Sequence, residues 1–269
     1  MKNFLIDTHC HLNFSDFKKD LDQVVKNALT NGVGKIICVS SNLADSQKAI
    51  DIVRHCPSVV YAAVGIHPQQ TDPENTSSLD KQINILRELA QKKEVVAIGE
   101  CGLDFAPAPR GEKERTPQEQ QFLFEEQIKL ATELNLPIIV HSRKAAEQTM
   151  DILKKYFSAS NKSNGVWHFY SGGKSKIKEV VNMGFYFGID GNITYEEGIQ
   201  NVISEIPLEK IILETDSPFL TPKPYRGLRN TPANVKIIAE SLACLQGVSF
   251  EKVCQTTSHN AQTLFSKAR

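Results

Sequence analysis

The feature that most restricts this chain is a rhythm of eight short, nearly unbroken apolar runs, each divided from the next by a stretch of helical character. The runs occupy residues 4–12, 35–40, 59–67, 95–100, 137–141, 165–169, 185–189 and 210–216. A strand reads as continuously apolar when both of its faces are buried, and parallel strands need long crossovers between them. Helical stripes fill the intervals 16–31, 43–55, 79–92, 117–134, 145–157, 174–183 and 196–204. The first carries Phe17, Leu21, Val24, Val25, Ala28 and Leu29 and stops at Gly32 and Gly34. The alternation predicts an α/β fold, a single (β/α)8 TIM barrel with extra C-terminal helices over 232–245 and 250–265. At 269 residues the chain suits one such domain, 1–269, and no shift in composition marks a boundary. A loop with Pro and Gly at 105–115 and a polar patch at 158–164 read as surface connections.

Thirty-one basic residues balance thirty-one acidic ones, so there is no global positive field to hold nucleic acid, and any such contact must be local. The opening apolar run is interrupted by Asp7 and is too short for a membrane span or a secretion signal, so no membrane association and a cytoplasmic location are expected. Six cysteines form no CxxC pair and mostly sit in apolar runs, which suits reduced, buried thiols. A monomer is expected.

Chemistry concentrates at the C-terminal ends of the runs. His9 and His11 close the first; as residues i and i+2 of a strand they share a face, about 7 Å apart along the backbone. His67 closes the third run, Glu100 the fourth, His141 the fifth, His168 the sixth and Asp216 the eighth, so five of seven histidines fall there. Barrel active sites are built on that rim, whereas core or solvated histidines have no reason to prefer it. A carboxylate at the close of Val95-Val96-Ala97-Ile98-Gly99 is costly to bury without a cation, so Glu100 is expected to bridge two ions. His9 and His11 would hold one ion and His141 and His168 the other. Asp216 reads as a ligand or general base, with a helix cap as the plainer alternative, and His67 stands between support of the site and simple turn structure. Four imidazoles and two carboxylates without a thiolate suit Zn²⁺, Mn²⁺, Fe²⁺ or Mg²⁺. Cys10 and Cys101 neighbour ligands but should face the opposite way.

The motifs Thr8-His9-Cys10-His11-Leu12, Gly65-Ile66-His67-Pro68, Gly99-Glu100-Cys101-Gly102-Leu103-Asp104, Pro137-Ile138-Ile139-Val140-His141-Ser142-Arg143 and Leu213-Glu214-Thr215-Asp216-Ser217-Pro218 resemble the TatD family of metal-dependent deoxyribonucleases, over essentially the whole chain. The resemblance implies a divalent-metal nuclease with ligands matching His9, His11, Glu100, His141, His168 and Asp216, and family members are described as Mg²⁺-dependent DNases, several acting from 3′ ends. Two positions depart from the pattern: Gln69 follows His67-Pro68 where a histidine is frequent, and the sixth run reads His168-Phe169-Tyr170-Ser171-Gly172 where His-Cys-Phe is frequent.

The expected activity is therefore hydrolysis of DNA phosphodiesters, with 3′-5′ exonuclease action, through a metal-bound hydroxide at a dinuclear site of Mg²⁺, Mn²⁺ or Zn²⁺. Asp216 and Glu100 are the expected catalytic groups, Asp216 orienting the nucleophile and accepting its proton. DNA is expected as a transient partner held by Arg143, Ser171, Arg226, Arg229 and His67, with Tyr170, Phe105 and Tyr225 as possible stacking surfaces. The same metal chemistry would also serve an amidohydrolase-type enzyme acting on a lactone, amide or aminoacyl ester.

Overall fold

The computed structural model describes residues 4–70, 78–107, 114–158 and 164–268; parts of the two expected surface connections, 108–113 and 159–163, lie outside them. Eight strands follow in chain order: β1 (Leu5–Cys10), β2 (Val33–Val39), β3 (Val60–Val64), β4 (Val95–Asp104), β5 (Ile138–Arg143), β6 (Gly165–Trp167), β7 (Phe185–Ile189) and β8 (Ile211–Leu213). Each pairs in parallel with the next, giving a sheet of order β1 to β8. Beyond the last ladder, Asp216 N–H donates to His9 O and His11 N–H to Ser217 O, both at 2.8 Å, which draws the end of β8 onto β1 and closes the ring. The expected TIM barrel is the observed fold.

The crossovers are α1 (Leu21–Thr30), α2 (Leu43–His55), α3 (Leu79–Ala90), α4 (Pro117–Leu134), α5 (Ala146–Tyr156), α6 (Ile177–Asn182) and α7 (Glu197–Ile203), with α8 (Val235–Gln246) and α9 (Phe250–Leu264) as the extra C-terminal pair. Local chemistry sets their ends. Thr116 and Glu119 form a reciprocal capping box ahead of α4, with Pro117 in its first turn, where a missing N–H costs nothing. The stripe at 16–31 is not one helix: a 3-10 turn, Ser15–Phe17, precedes α1. The break has a distant cause, because Arg229 donates to the Asp16 carbonyl and to both carboxylate oxygens of Asp20, fixing the turn from across the chain.

Two apolar layers result. The inner one takes a side chain from every strand, Ile6, Ile37, Ala63, Val96, Ile139, Val166, Tyr186 and Ile212, and is joined by Leu264 and Phe265 at the end of α9. The outer one packs the opposite strand faces, Leu5, Cys10, Cys38, Ile98, Cys101, Val140 and Trp167 among them, against the helices. Cys10 and Cys101 thus face the helices as expected. No helix among the described residues is long and apolar enough to cross a membrane.

Candidate metal centre

Alternation along β5 and β6 explains two of the candidate ligands directly. Val140 and Trp167 belong to the outer layer, so the residues after them, His141 and His168, turn inward. For β1 and β4 alternation fails. Leu5 and Cys10 both lie in the outer layer although an odd number of steps separates them, and the ladder shows why: Asp7 to Cys10 spans three residues against two on β2, Ile36 to Cys38. This bulge re-aims His9 and His11 into the barrel mouth. A second bulge, Ile98 to Cys101 against Ile138 to Val140, does the same for Glu100. Asp216 lies past β8 with φ of 53°, a left-handed conformation that Asp tolerates better than most residues.

These elements bring the six side chains together. His9 Nε2 lies 3.3 Å from His11 Nε2, 3.6 Å from Glu100 Oε2 and 3.7 Å from Asp216 Oδ1. His11 Nε2 is 3.2 Å from Asp216 Oδ1. The other oxygen of Glu100, Oε1, sits 2.7 Å from His141 Nδ1 and 3.7 Å from His168 Nε2. Glu100 therefore divides its two oxygens between two histidine sets, and each set with Glu100 forms a compact triad of donor atoms. The rings of His9 and His168 stack at 3.7 Å between the two sets.

Neighbouring groups fix the rings. His168 Nδ1 meets Glu214 Oε1 at 2.8 Å, an oxygen that also accepts from Phe169 N–H. Glu214 fits because Gly188 faces it; a Cβ there would fall 2.4 Å from its carboxylate oxygens. His141 Nε2 meets Asp104 Oδ2 at 3.2 Å, and His11 Nδ1 meets Val39 O at 3.0 Å. Buried Asp7 accepts from Thr215 N–H and its hydroxyl, tying β1 to the segment that carries Asp216. Glu214, Asp104 and Asp7 were absent from the sequence-derived site. Each stands in a quoted motif or run, but only cross-strand geometry shows what it holds.

Charge is strongly perturbed. Burial opposes a charge on His168, yet Glu214 and Glu100 outweigh it and raise its pKa to about 10. His141 is likewise raised to about 9 against burial, by Glu100 and Asp104. Burial also disfavours ionised Glu100 and Asp216, but the surrounding imidazoles hold both below the usual carboxylate range. His9 is lowered, by burial and then by His168. A donor set of this kind fits a cation: the buried carboxylate of Glu100 and the largely covered one of Asp216 converge with four imidazoles. His67 sits beside the set, its ring 4.4 Å from that of His141 and its Nδ1 accepting from Gln69 N–H; burial and His141 lower it to about 3.

The expected phosphate contacts separate. Arg143 is exposed at the rim, its Nη1 3.9 Å from Asp104 Oδ2. Ser171 is exposed, ahead of a 3-10 turn (Lys174–Lys176) and not directly at a helix start. Arg226 lies over the Tyr195 ring at 3.8 Å. Arg229 has its fork occupied by Asp20 and lies over the Phe17 ring at 4.9 Å, so it is a buttress of the 3-10 turn. Tyr170 cannot stack on a base, because it is buried against Trp167 and Phe187. Phe105 packs against the outer layer, and Tyr225 is exposed.

Known proteins share this architecture. The family description "TatD related DNase" matches residues 6–266. The chain is 35% identical over 264 residues to the uncharacterized metal-dependent hydrolase YabD of Bacillus subtilis, covering 97% of this chain and 98% of that one. It is 35% identical over 269 residues to deoxyribonuclease TATDN3 of Homo sapiens, covering 98% and 96%. The crystal structure of YJJV, a TatD homolog from Escherichia coli, superposes with a TM-score of 0.85 at 30% identity, covering 97% of this chain and 98% of that one. With the barrel, the paired histidine sets and this likeness over nearly its full length, the chain belongs to the TatD-related DNase family of metal-dependent hydrolases.

Proposed function

We propose that this protein hydrolyses DNA phosphodiesters with two divalent ions, Mg²⁺, Mn²⁺ or Zn²⁺, removing nucleotides from 3′ ends as a single-domain cytoplasmic monomer that contacts DNA transiently. The observation that carries this is the division of Glu100, one oxygen toward His9 and the other toward His141 and His168. Paired cation sites sharing one carboxylate suit in-line displacement at phosphorus. The name of the human relative, a deoxyribonuclease, favours phosphorus over carbonyl carbon.

His9, His11 and Asp216 would hold one ion, His141 and His168 the other, and Glu100 both. Bound there, divalent cations lower the pKa of water and neutralise charge on phosphate oxygens. The chain supplies the rest. Asp216 is ionised at neutral pH and its carboxylate is partly open at the barrel mouth, so Oδ2 or Oδ1 can orient the attacking water and take its proton. Glu214 and Asp104 keep His168 and His141 aimed inward. Arg143, the exposed guanidinium nearest this cluster in the chain, can meet the phosphate of the incoming strand.

The test is metal-free protein reloaded with each ion in turn and given end-labelled single and double strands, beside lactone and amide substrates. Mononucleotides appearing from the 3′ end support the proposal. Turnover of a lactone or amide with no cleavage of either DNA would overturn it.

A further inference from the structure

We propose that Phe219 determines specificity: together with Phe14 it forms an aromatic shelf that stacks on the nucleobase beside the scissile phosphate. The inference rests on the phosphodiesterase reading above for what that base is attached to. Phe219 stands three residues past Asp216 with 52% of its surface exposed. One side of its ring is anchored to the centre. Phe14 stacks on the His11 imidazole, centroids 4.6 Å apart and planes at 16°, and Phe219 meets that imidazole at 6.3 Å and Phe14 at 6.1 Å, both edge-on. The other side faces solvent.

The exposed ring sits on a fixed backbone. Phe219 N–H donates to Asp216 O at 2.8 Å, and its carbonyl accepts from Asn230 Nδ2 at 2.6 Å. Asn230 is fully buried, and the same Nδ2 holds Thr215 O at 2.8 Å, so the shelf and the Asp216 segment are pinned by one side chain. A large apolar ring held half in water beside a charged centre is unfavourable in the free protein. Its compensation comes when a planar apolar group covers it, and a preformed platform loses little conformational freedom in doing so. Every nucleobase presents a π-face, so such a shelf recognises a nucleotide without selecting its sequence. It also supplies what a balanced surface charge does not, a local hold on nucleic acid next to the reacting phosphate.

The experiment compares two oligonucleotides that differ only in having a base or an abasic deoxyribose at the nucleotide next to the scissile phosphate. Wild type should favour the base by roughly 5- to 100-fold in kcat/KM. Phe219→Ala should bring the ratio close to one, and Phe219→Trp should restore it. A second readout is independent of turnover. Trp167 is the chain's single tryptophan and is fully buried, so Phe219→Trp adds an exposed fluorophore. A deoxynucleoside monophosphate should quench it, and deoxyribose 5-phosphate should not. Equal cleavage of both oligonucleotides by wild type, a preference untouched by Phe219→Ala, or equal quenching by both small molecules overturns the shelf. Should wild type cleave neither oligonucleotide, the phosphodiesterase reading fails, and the quenching comparison alone then upholds or overturns stacking.

Discussion

Loading this centre with metal should expel protons, and the number can be worked from its electrostatics. Without metal, His168 and His141 have pKa values of about 10 and about 9, so both imidazoles are charged at pH 7. Each keeps a partner on its far nitrogen, Glu214 for His168 and Asp104 for His141, and must give up the proton on the nitrogen facing Glu100 before that nitrogen can bind a cation. Two protons should therefore leave at pH 7, with a further fraction from His11, whose pKa Asp216 raises against burial. His9, lowered by burial, contributes none. Apparent affinity should then rise about 100-fold per pH unit, one factor of ten for each proton released, until pH approaches 9. Isothermal titration of metal-free protein with Zn²⁺ or Mn²⁺, in buffers of different ionisation enthalpy, reads the proton count directly. The sign for stability is separate: both folded-state values exceed the unfolded value of about 6.5. The bound protons therefore stabilise the metal-free fold fully below pH 6.5, and that contribution is lost as pH rises through about 9 and about 10. Thermal melts in chelator should fall over that window. Release of fewer than one proton at pH 7 would refute the argument, since it would mean that the carboxylates do not hold these imidazoles charged.

Three further outcomes follow from the geometry. Asp216→Asn should lower turnover by about 10²-fold or more while metal still titrates into the site, because it removes the proposed proton acceptor and keeps the shape; retained turnover measured at saturating metal counts against that role. Glu214→Gln should weaken metal binding by about 10- to 100-fold, and should reduce the proton count above, because His168 loses the charge that orients it; unchanged titration curves would leave Glu214 a packing residue. Arg143→Ala should flatten the salt dependence of DNA affinity by about 0.7 to 0.9 in logarithmic slope, the share of one phosphate contact, whereas Arg229→Ala should leave the slope alone and lower Tm, since its guanidinium is committed to Asp20.

Much of the architecture was legible because burial on both faces writes itself into composition. Each expected strand overlaps an observed one, and the errors lie at the ends: β2, β4 and β5 run past the expected limits, whereas His67 stands three residues beyond β3 and Asp216 three beyond β8. Polar residues that continue an apolar run look like strand, although hydrogen bonding has passed to loops. The first helical stripe failed for a different reason, as the break before α1 is made by Arg229, over two hundred positions away, and no local pattern carries it. Glu214 and Asp104 were missed because a reading of strand tips takes the last polar residue as the functional one. A carboxylate two places earlier or four places later gains its role only from the histidine that the neighbouring strand presents to it.

The two bulges explain why the six side chains converge at all. Simple alternation suffices for His141 and His168, which follow outer-layer residues on regularly paired strands. It does not suffice opposite them. Had β1 kept strict alternation from Leu5, His9 and His11 would face the helices, and had β4 kept it from Ile98, so would Glu100. One extra residue in each strand reverses the facing at the rim while leaving the apolar alternation below it intact, so the lumen stays packed and the mouth becomes polar. Both bulges take the same form, three residues against two, and both fall where Glu100 meets the first histidine pair. A sequence can show that histidines i and i+2 share a face; which face that is depends on a ladder irregularity made with the partner strand, and it is this irregularity that turns eight buried strands into a ring of donors.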